Sequence, residues 1–296
     1  MTKQLEHLVV IGTGLIGGSV ARALRRSGFV RRITGVGRST ANLEKARTLG
    51  VIDAFATDIG TAVTDTDMVL VAVPMGAYDA VFSQLATHLP ARVLITDAGS
   101  TKQHAIAAAR RHLDGDAARR FVPAHPIAGT EKSGVEASVA DLFDGRLCII
   151  TPDEATDADA LEKVQAMWEA TGSRVITMPA GEHDDFLAAV SHLPHLAAYA
   201  LVNAVRKLGD ATHDPFRFAA GGFRDFTRIA SSSPEMWRDI ALCNREALMH
   251  KIDALQAELA LLKQALADGD ADTLLDAFAA AKQARDAWLA THGDNL

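Results

Sequence analysis

Leu8-Val9-Val10-Ile11-Gly12-Thr13-Gly14-Leu15-Ile16-Gly17 decides the fold. Four consecutive aliphatic residues read as a strand buried on both faces, as in a parallel sheet covered by helices. Glycines follow at once. Gly12 permits a tight turn out of the strand, Gly14 lets backbone approach a pyrophosphate, and Gly17 lets the next helix pack on the strand. That helix, expected over 17–27, offers N–H groups and the positive end of its dipole to the phosphates, with Leu15 and Ile16 in the loop itself. A glycine loop alone is a weak signal. With a strand before it, a helix behind it and a second strand about 20 residues on, it predicts dinucleotide binding.

Outward from this loop, short β-branched runs alternate with Ala-rich helical stretches. Strands are expected at 8–11, 32–36, 68–73, 92–96, 121–123, 147–151 and 174–178, with a helix at 42–49. The alternation predicts a doubly wound α/β domain of the Rossmann type. Beyond Pro179 no strand is evident. Across 235–266, Trp237, Ile240, Leu248, Ile252, Leu255, Leu259, Leu262 and Leu266 recur near helical spacing, and 271–289 reads alike. We therefore divide the chain into 1–179, dinucleotide-binding, and 180–296, all-α. Long amphipathic helices without a sheet need cover, which predicts a homodimer built on this second half. A closed monomeric bundle would bury the same stripes within one chain.

The net charge of −7 argues against nucleic acid, whose phosphates want a basic face. It leaves room for an anionic small molecule held by a few local arginines. Two distant cysteines, Cys148 and Cys243, make no disulfide framework, and the first residues lack a signal-peptide pattern. No apolar run is seen that approaches the roughly 20 residues needed to span a bilayer. A cytoplasmic protein with no membrane partner is expected.

The tip of the second strand selects the nicotinamide cofactor. An acid there would bind a ribose 2′-OH and favour NAD. The residues are Gly35-Val36-Gly37-Arg38-Ser39-Thr40, with no carboxylate. Arg38 suits a 2′-phosphate, with Ser39 and Thr40 as hydroxyl donors, so NADP is preferred. With Arg38 as a solvated loop residue, NAD would serve as well. Val73 and Pro74, closing the central strand, are the other expected cofactor contacts.

Four more segments place polar residues at strand ends or on helices: Asp97-Ala98-Gly99-Ser100-Thr101-Lys102, His125-Pro126-Ile127-Ala128-Gly129-Thr130-Glu131-Lys132-Ser133-Gly134, Ser191-His192-Leu193-Pro194-His195, and Gly221-Gly222-Phe223-Arg224-Asp225-Phe226-Thr227-Arg228. Each alone has a structural explanation. Asp97 could cap the following helix, His192 and His195 could be core histidines, and Arg224 and Arg228 could form a solvated helix face.

Together with the glycine loop, in this order and spacing over about residues 7–246, these segments resemble the prephenate/arogenate (cyclohexadienyl) dehydrogenase family of tyrosine biosynthesis. The last 50 or so residues match only in being helical. The resemblance implies hydride transfer from C4 of a cyclohexadienol to a nicotinamide, with loss of the ring carboxylate as CO2. Prephenate would give 4-hydroxyphenylpyruvate, and arogenate tyrosine. It implies His125 as the base on the C4 hydroxyl, with Ser100 orienting that hydroxyl. It gives Arg228 the ring carboxylate and His195 a further substrate hydrogen bond. Arg224, where relatives often carry lysine, would contact the side-chain carboxylate or line the entrance. Glu131 would pair with an arginine at the pocket mouth, and Gly221 would let backbone approach substrate. His192 would be structural or near the nicotinamide, and Trp237 a pocket wall or core. Aromatisation drives the decarboxylation, so no metal is expected. Two rivals keep the glycine loop. A β-hydroxyacid dehydrogenase of the 6-phosphogluconate type needs a helical-domain lysine, for which Lys207 and Lys251 lie in no recognisable signature. A non-enzymatic NADP-binding redox sensor gives Ser100, His125, His195 and Arg228 nothing to do.

Overall fold

Neighbouring residues of the first strand part to opposite sides of a sheet. Leu8 and Val10 pack with Val20, Leu24, Ile33 and Leu70, while Val9 and Ile11 pack with Val69, Val71, Phe82 and Ile95. A strand apolar at every position is what a sheet covered on both faces requires. The computed structural model describes residues 4–209 and 213–292. Its main sheet has six parallel strands: β1 (Leu5–Ile11), β2 (Val30–Val36), β3 (Ala54–Ala56), β4 (Met68–Val71), β5 (Leu94–Asp97) and β6 (Phe121–Val122), in the order β3-β2-β1-β4-β5-β6. The connecting helices are α1 (Leu15–Arg26), α2 (Thr40–Thr48), α3 (Ile59–Ala62), α4 (Tyr78–His88), α5 (Lys102–His112) and α6 (Gly115–Arg119). The order reverses between β1 and β4, so a crevice opens at their carboxyl ends, where Ile11 lies beside Val71. The doubly wound, Rossmann-type fold expected for the first half is present.

Two strands were not foreseen. β3 is Ala-Phe-Ala at a sheet edge and carries no β-branched signal. The other follows from Pro123. The expected strand 121–123 stops after two residues, since proline brings no N–H to the ladder. The chain then enters a second sheet formed by β7 (Ala124–Pro126), β8 (Leu147–Ile150) and β9 (Arg174–Thr177), with β7 antiparallel to β8 and β9 parallel to it. His125 therefore sits inside β7, opposite Ile149, rather than closing a strand of the main sheet. Between β8 and β9 runs α7 (Ala158–Ala170), whose Trp168 is fully buried.

After β9 the chain is helical: α8 (Ala180–Leu187), a wide π turn at Ala188–His192, α9 (Leu193–Leu208), α10 (Gly221–Thr227), α11 (Pro234–Cys243), α12 (Arg245–Asp268) and α13 (Ala271–His292). Pro194, early in α9, has no N–H for a carbonyl one turn back, which favours a widened turn there. The segment Ala180–Leu208 runs 29 residues, long and apolar enough by length and composition to cross a bilayer. This corrects the expectation that no such run exists. Within it His183, Asp184 and His192 are buried, and Asp184 caps α5, which ties the first part of the segment to the α/β unit. The helical pattern across 235–266 is also interrupted, at Asn244, whose side chain turns inward to bind polar atoms.

Composition changes at residue 179, whereas compactness groups Met1–Arg245 as one unit and Glu246–Leu296 as another. Within the first unit α8 packs on α5, and α11 on the turn at Met75–Ala77. Trp237 and Ile240 join the core around Val9 and Val71. In the second unit α12 and α13 leave Met249, Leu259, Leu266, Leu275 and Phe278 exposed.

Candidate active site

The glycine loop leaves β1 with Gly12 at φ +97°, a left-handed conformation that disfavours any side chain. A Cβ on Gly12 would lie 2.3 Å from the Ala72 carbonyl oxygen, and one on Gly17 would lie 2.1 Å from the Gly12 oxygen. Gly14 differs: a Cβ there would meet nothing within 4 Å. Beside this open space α1 begins at Leu15 without a side-chain cap. An uncapped helix N-terminus beside open space suits a diphosphate, so these residues fit the nucleotide. Leu15, Ile16 and Val73 are half-buried around the loop, and Pro74 is exposed. At the tip of β2, Arg38, Ser39 and Thr40 are all exposed. The Ser39 hydroxyl already accepts the Asn42 N–H at 3.3 Å as the N-cap of α2.

Asp97, at the end of β5, does not cap α5. Wholly buried, it accepts hydrogen bonds from Lys102 Nζ at 2.6 Å, the Tyr78 hydroxyl at 2.7 Å, the Gly99 N–H at 3.0 Å and the Ala124 N–H at 2.9 Å. Lys102 Nζ also donates to the Ala124 carbonyl at 2.6 Å. Asp97 and Lys102 thus grip both backbone polar groups of the residue before His125. The half-buried Ser100 lies in the turn between them.

The N-terminus of α5 is capped from elsewhere. Asp184 on α8 accepts the N–H groups of Lys102 at 2.7 Å and Gln103 at 2.9 Å. Asp184 Oδ1 also lies 2.8 Å from His183 Nδ1, and His183 Nε2 lies 2.9 Å from His125 Nδ1. Burial raises the Asp184 carboxyl, but His183 and the two amides outweigh it and hold it below the carboxylate range. Burial, then His183, Lys102 and His192, push His125 well below the usual imidazole value, so it is neutral near pH 7.

Around the start of α9, His195 Nδ1 donates to the Ser191 carbonyl at 3.0 Å, and its ring stacks on Trp237 with centroids 3.5 Å apart. His195 Nε2 is therefore an acceptor in the neutral ring. Burial, with a contribution from Arg228, lowers its pKa despite the Ser191 bond. His192 is buried, and burial pushes it down to about 4. Asn244 Nδ2 donates to the Asp184 carbonyl at 2.7 Å and to His192 Nδ1 at 3.1 Å, which leaves the proton of neutral His192 on Nε2. His192 Nε2 and Trp237 Nε1 are both buried without a partner among the described residues. Two such donors close to His195 suit a ligand oxygen.

Arg228 Nη1 lies 3.1 Å from Glu131 Oε2, bringing together two expected residues 97 positions apart. Arg224 is strongly exposed and pairs with its neighbour Asp225. Gly221 opens α10 with nothing near a would-be Cβ. Sequence reasoning missed His183, Asp184, Asn244 and the Asp97–Lys102 pair as site-building residues. A His-Asp dipeptide at a helix start carries no mark of its link to residue 125.

The family model for the prephenate dehydrogenase nucleotide-binding domain matches residues 20–177, and that for the prephenate dehydrogenase dimerization domain matches 179–280. A cyclohexadienyl dehydrogenase from Zymomonas mobilis is 38% identical over 288 residues, 97% of each chain. The solved prephenate dehydrogenase from A. aeolicus, in complex with hydroxyphenyl propionate and NAD+, superposes with a TM-score of 0.90 at 35% identity, covering 96% of this chain and 99% of that one. Synechocystis arogenate dehydrogenase superposes with a TM-score of 0.77 at 26% identity, covering 95% and 99%.

Proposed function

This chain belongs to the prephenate dehydrogenase family, an NAD(P)-linked oxidoreductase of tyrosine biosynthesis, and we propose that it oxidatively decarboxylates prephenate or arogenate with His125 as its base. The observation that carries this reading is the neutral His125 ring, anchored at Nδ1 by His183 and so left with Nε2 for a substrate hydroxyl. A nicotinamide held at the glycine loop would supply the hydride acceptor for C4.

Each residue then has a task. His125 Nε2 takes the C4 hydroxyl proton as the C4–H bond breaks. Ser100, in the turn after β5, orients that hydroxyl. The ring carboxylate leaves as CO2 when its C–C bond electrons complete the aromatic ring. Arg228 holds that carboxylate until then, exchanging its contact with Glu131 for the substrate, and Glu131 returns the arginine to rest. His195, fixed by Ser191 and by stacking on Trp237, offers Nε2 to a substrate donor. Arg224, exposed at the mouth, attracts the dianion, and Gly221 leaves room beside it.

Gly12, Gly14, Leu15, Ile16, Gly17, Val73 and Pro74 would hold the nucleotide. Arg38 with Ser39 and Thr40 favours the 2′-phosphate of NADP, supported by their exposure and by the lack of a carboxylate at the tip of β2. Residues 180–296 serve as substrate and dimerisation half, in a homodimer, supported by the dimerization-domain match and the apolar side chains that α12 and α13 expose. Both cysteines are free, in keeping with work in the cytoplasm.

The test is absorbance at the reduced-nicotinamide band, with prephenate and arogenate each offered with NADP and NAD. The expected result is reduction with at least one ring substrate, faster with NADP. His125→Asn should cut turnover about 10²–10⁴-fold with cofactor binding intact. Near-normal turnover of His125→Asn with every substrate would refute the assignment.

A further inference from the structure

His125, His183 and Asp184 come from two distant parts of the chain, yet they form one continuous line of hydrogen bonds. Its polarity is set at one end. Asp184 is a carboxylate whose two oxygens both accept: Oδ1 from the Lys102 amide at 2.7 Å, Oδ2 from the Gln103 amide at 2.9 Å. At Oδ1 it can only accept from His183 Nδ1, 2.8 Å away, so His183 carries its proton on Nδ1. The other nitrogen of a neutral His183, Nε2, is then a lone pair. It lies 2.9 Å from His125 Nδ1 and accepts the proton there. His125 Nε2 is left bare.

We propose that His183 and Asp184 are positioning residues of the reaction: they hold His125 in the one tautomer that presents a basic Nε2 to the substrate. This rests on the reading of His125 as the base.

The surroundings keep both rings neutral. Burial, then His183, Lys102 and His192, disfavour a charged ring at His125. On His183 burial, with Lys102, outweighs the Asp184 and Asp97 carboxylates and lowers its pKa, so it too stays neutral with its one proton on Nδ1. Both residues are themselves buried, and Asn244 fixes the Asp184 backbone from α11's end. Among the described residues His183 Nε2 is the hydrogen-bond partner of His125 Nδ1, and the two rings meet T-shaped with centroids 5.1 Å apart. Removing the carboxylate end of an Asp–His pair, or the outer partner of a functional histidine, costs orders of magnitude in other sites because the wrong nitrogen carries the proton.

The experiment uses the whole chain with its better cofactor and substrate, reading single-turnover nicotinamide reduction, substrate KM and cofactor affinity. His183→Leu removes the acceptor and should lower the chemical rate about ten- to hundredfold, with KM and cofactor affinity within about twofold. His183→Gln places an amide oxygen near the lost Nε2 and should restore most of that rate. In a His125→Asn background, His183→Leu should cost nothing more, because it acts only through His125. A normal rate for His183→Leu would overturn the proposal, and so would equal loss in the Leu and Gln variants or a further tenfold loss in the double variant. Should His183→Leu not fold, the imidazole ¹⁵N spectrum of the wild-type protein decides. The expected pattern is His125 protonated at Nδ1 and bare at Nε2, and the reverse pattern would overturn the proposal. The two levels of failure are distinct. An active His125→Asn sinks the base assignment itself, whereas an inactive His125→Asn beside a fully active His183→Leu sinks only the positioning role.

Discussion

Lys102→Met should destabilise the protein by about 3–5 kcal/mol, the usual cost of removing one partner of a buried ion pair. Lys102 and Asp97 are both wholly buried, and Nζ donates at 2.6 Å to the Asp97 carboxylate and at 2.6 Å to the Ala124 carbonyl. Methionine fills most of the volume but supplies neither bond. Asp97 would keep three neutral donors, from Tyr78, Gly99 and Ala124, and a buried negative charge with no cation. At about 2–4 °C per kcal/mol for a unit of this size, Tm should fall by about 6–20 °C. Asp97→Asn in the same chain removes the uncompensated charge, so the double variant should be more stable than Lys102→Met alone, a sign opposite to that of two independent losses. Urea unfolding followed by circular dichroism measures all three proteins. A loss below about 1 kcal/mol in the single variant, or a double variant less stable than the single one, would show that the pair is not what holds β5, α5 and β7 together.

Gly17→Ala puts a methyl group 2.1 Å from a backbone oxygen that cannot swing away, so isothermal titration should find NADP affinity reduced tenfold or more, roughly a 1.4 kcal/mol effect. Arg38→Ala should weaken NADP by about ten- to hundredfold, as expected for lost hydrogen bonds to a charged group, and leave NAD nearly unchanged; equal effects on both would remove Arg38 from the specificity site. His192 titrates near 4 in the folded protein, below its ordinary 6.5, because it is buried. Above pH 6.5 neither state is protonated and stability is unaffected. As pH falls toward 4 the unfolded chain gains a proton that the folded one refuses, a loss that reaches about 3 kcal/mol. His192→Gln should therefore show a shallower fall in urea stability between pH 7 and pH 4.5, and an unchanged slope would contradict the buried neutral ring.

Periodicity and glycine chemistry are local properties, and what they govern could be read in advance. Leu8–Ile11 and Met68–Val71 show as unbroken apolar runs because both faces of the sheet are covered. Gly12 and Gly17 announce a turn and a close packing that the backbone does require. Legibility fails where a residue's role is given by a distant partner. Asp97 looks like a helix cap because aspartate before a helix so often is one, and only the fold brings Lys102 and Ala124 around it. Asp184, 82 residues from Lys102, does the capping. β3 escaped notice because Ala-Phe-Ala has a single strand-favouring residue between two alanines, and it exists by pairing with β2. The length of Ala180–Leu208 was not legible because Pro194 lies within it, and only the fold shows the widened turn that carries the helix past that proline.

That widened turn also sets the angular phase of the helix. His183 and His195 are twelve residues apart, and at about 100° per residue an unbroken α-helix would point them roughly 120° away from one another. A π turn absorbs about one residue of the count. Eleven effective steps bring the two side chains to within about 20° of the same direction. The extra residue thus works as a phase corrector, turning the histidine that backs His125 and the one stacked on Trp237 toward one side. Chain length between positions 183 and 195 and the form of the turn are consequently linked. Removing one residue would close the π turn into plain α-helix, whose eleven steps keep the two histidines within about 20° of one direction, whereas adding one would swing them about 120° apart.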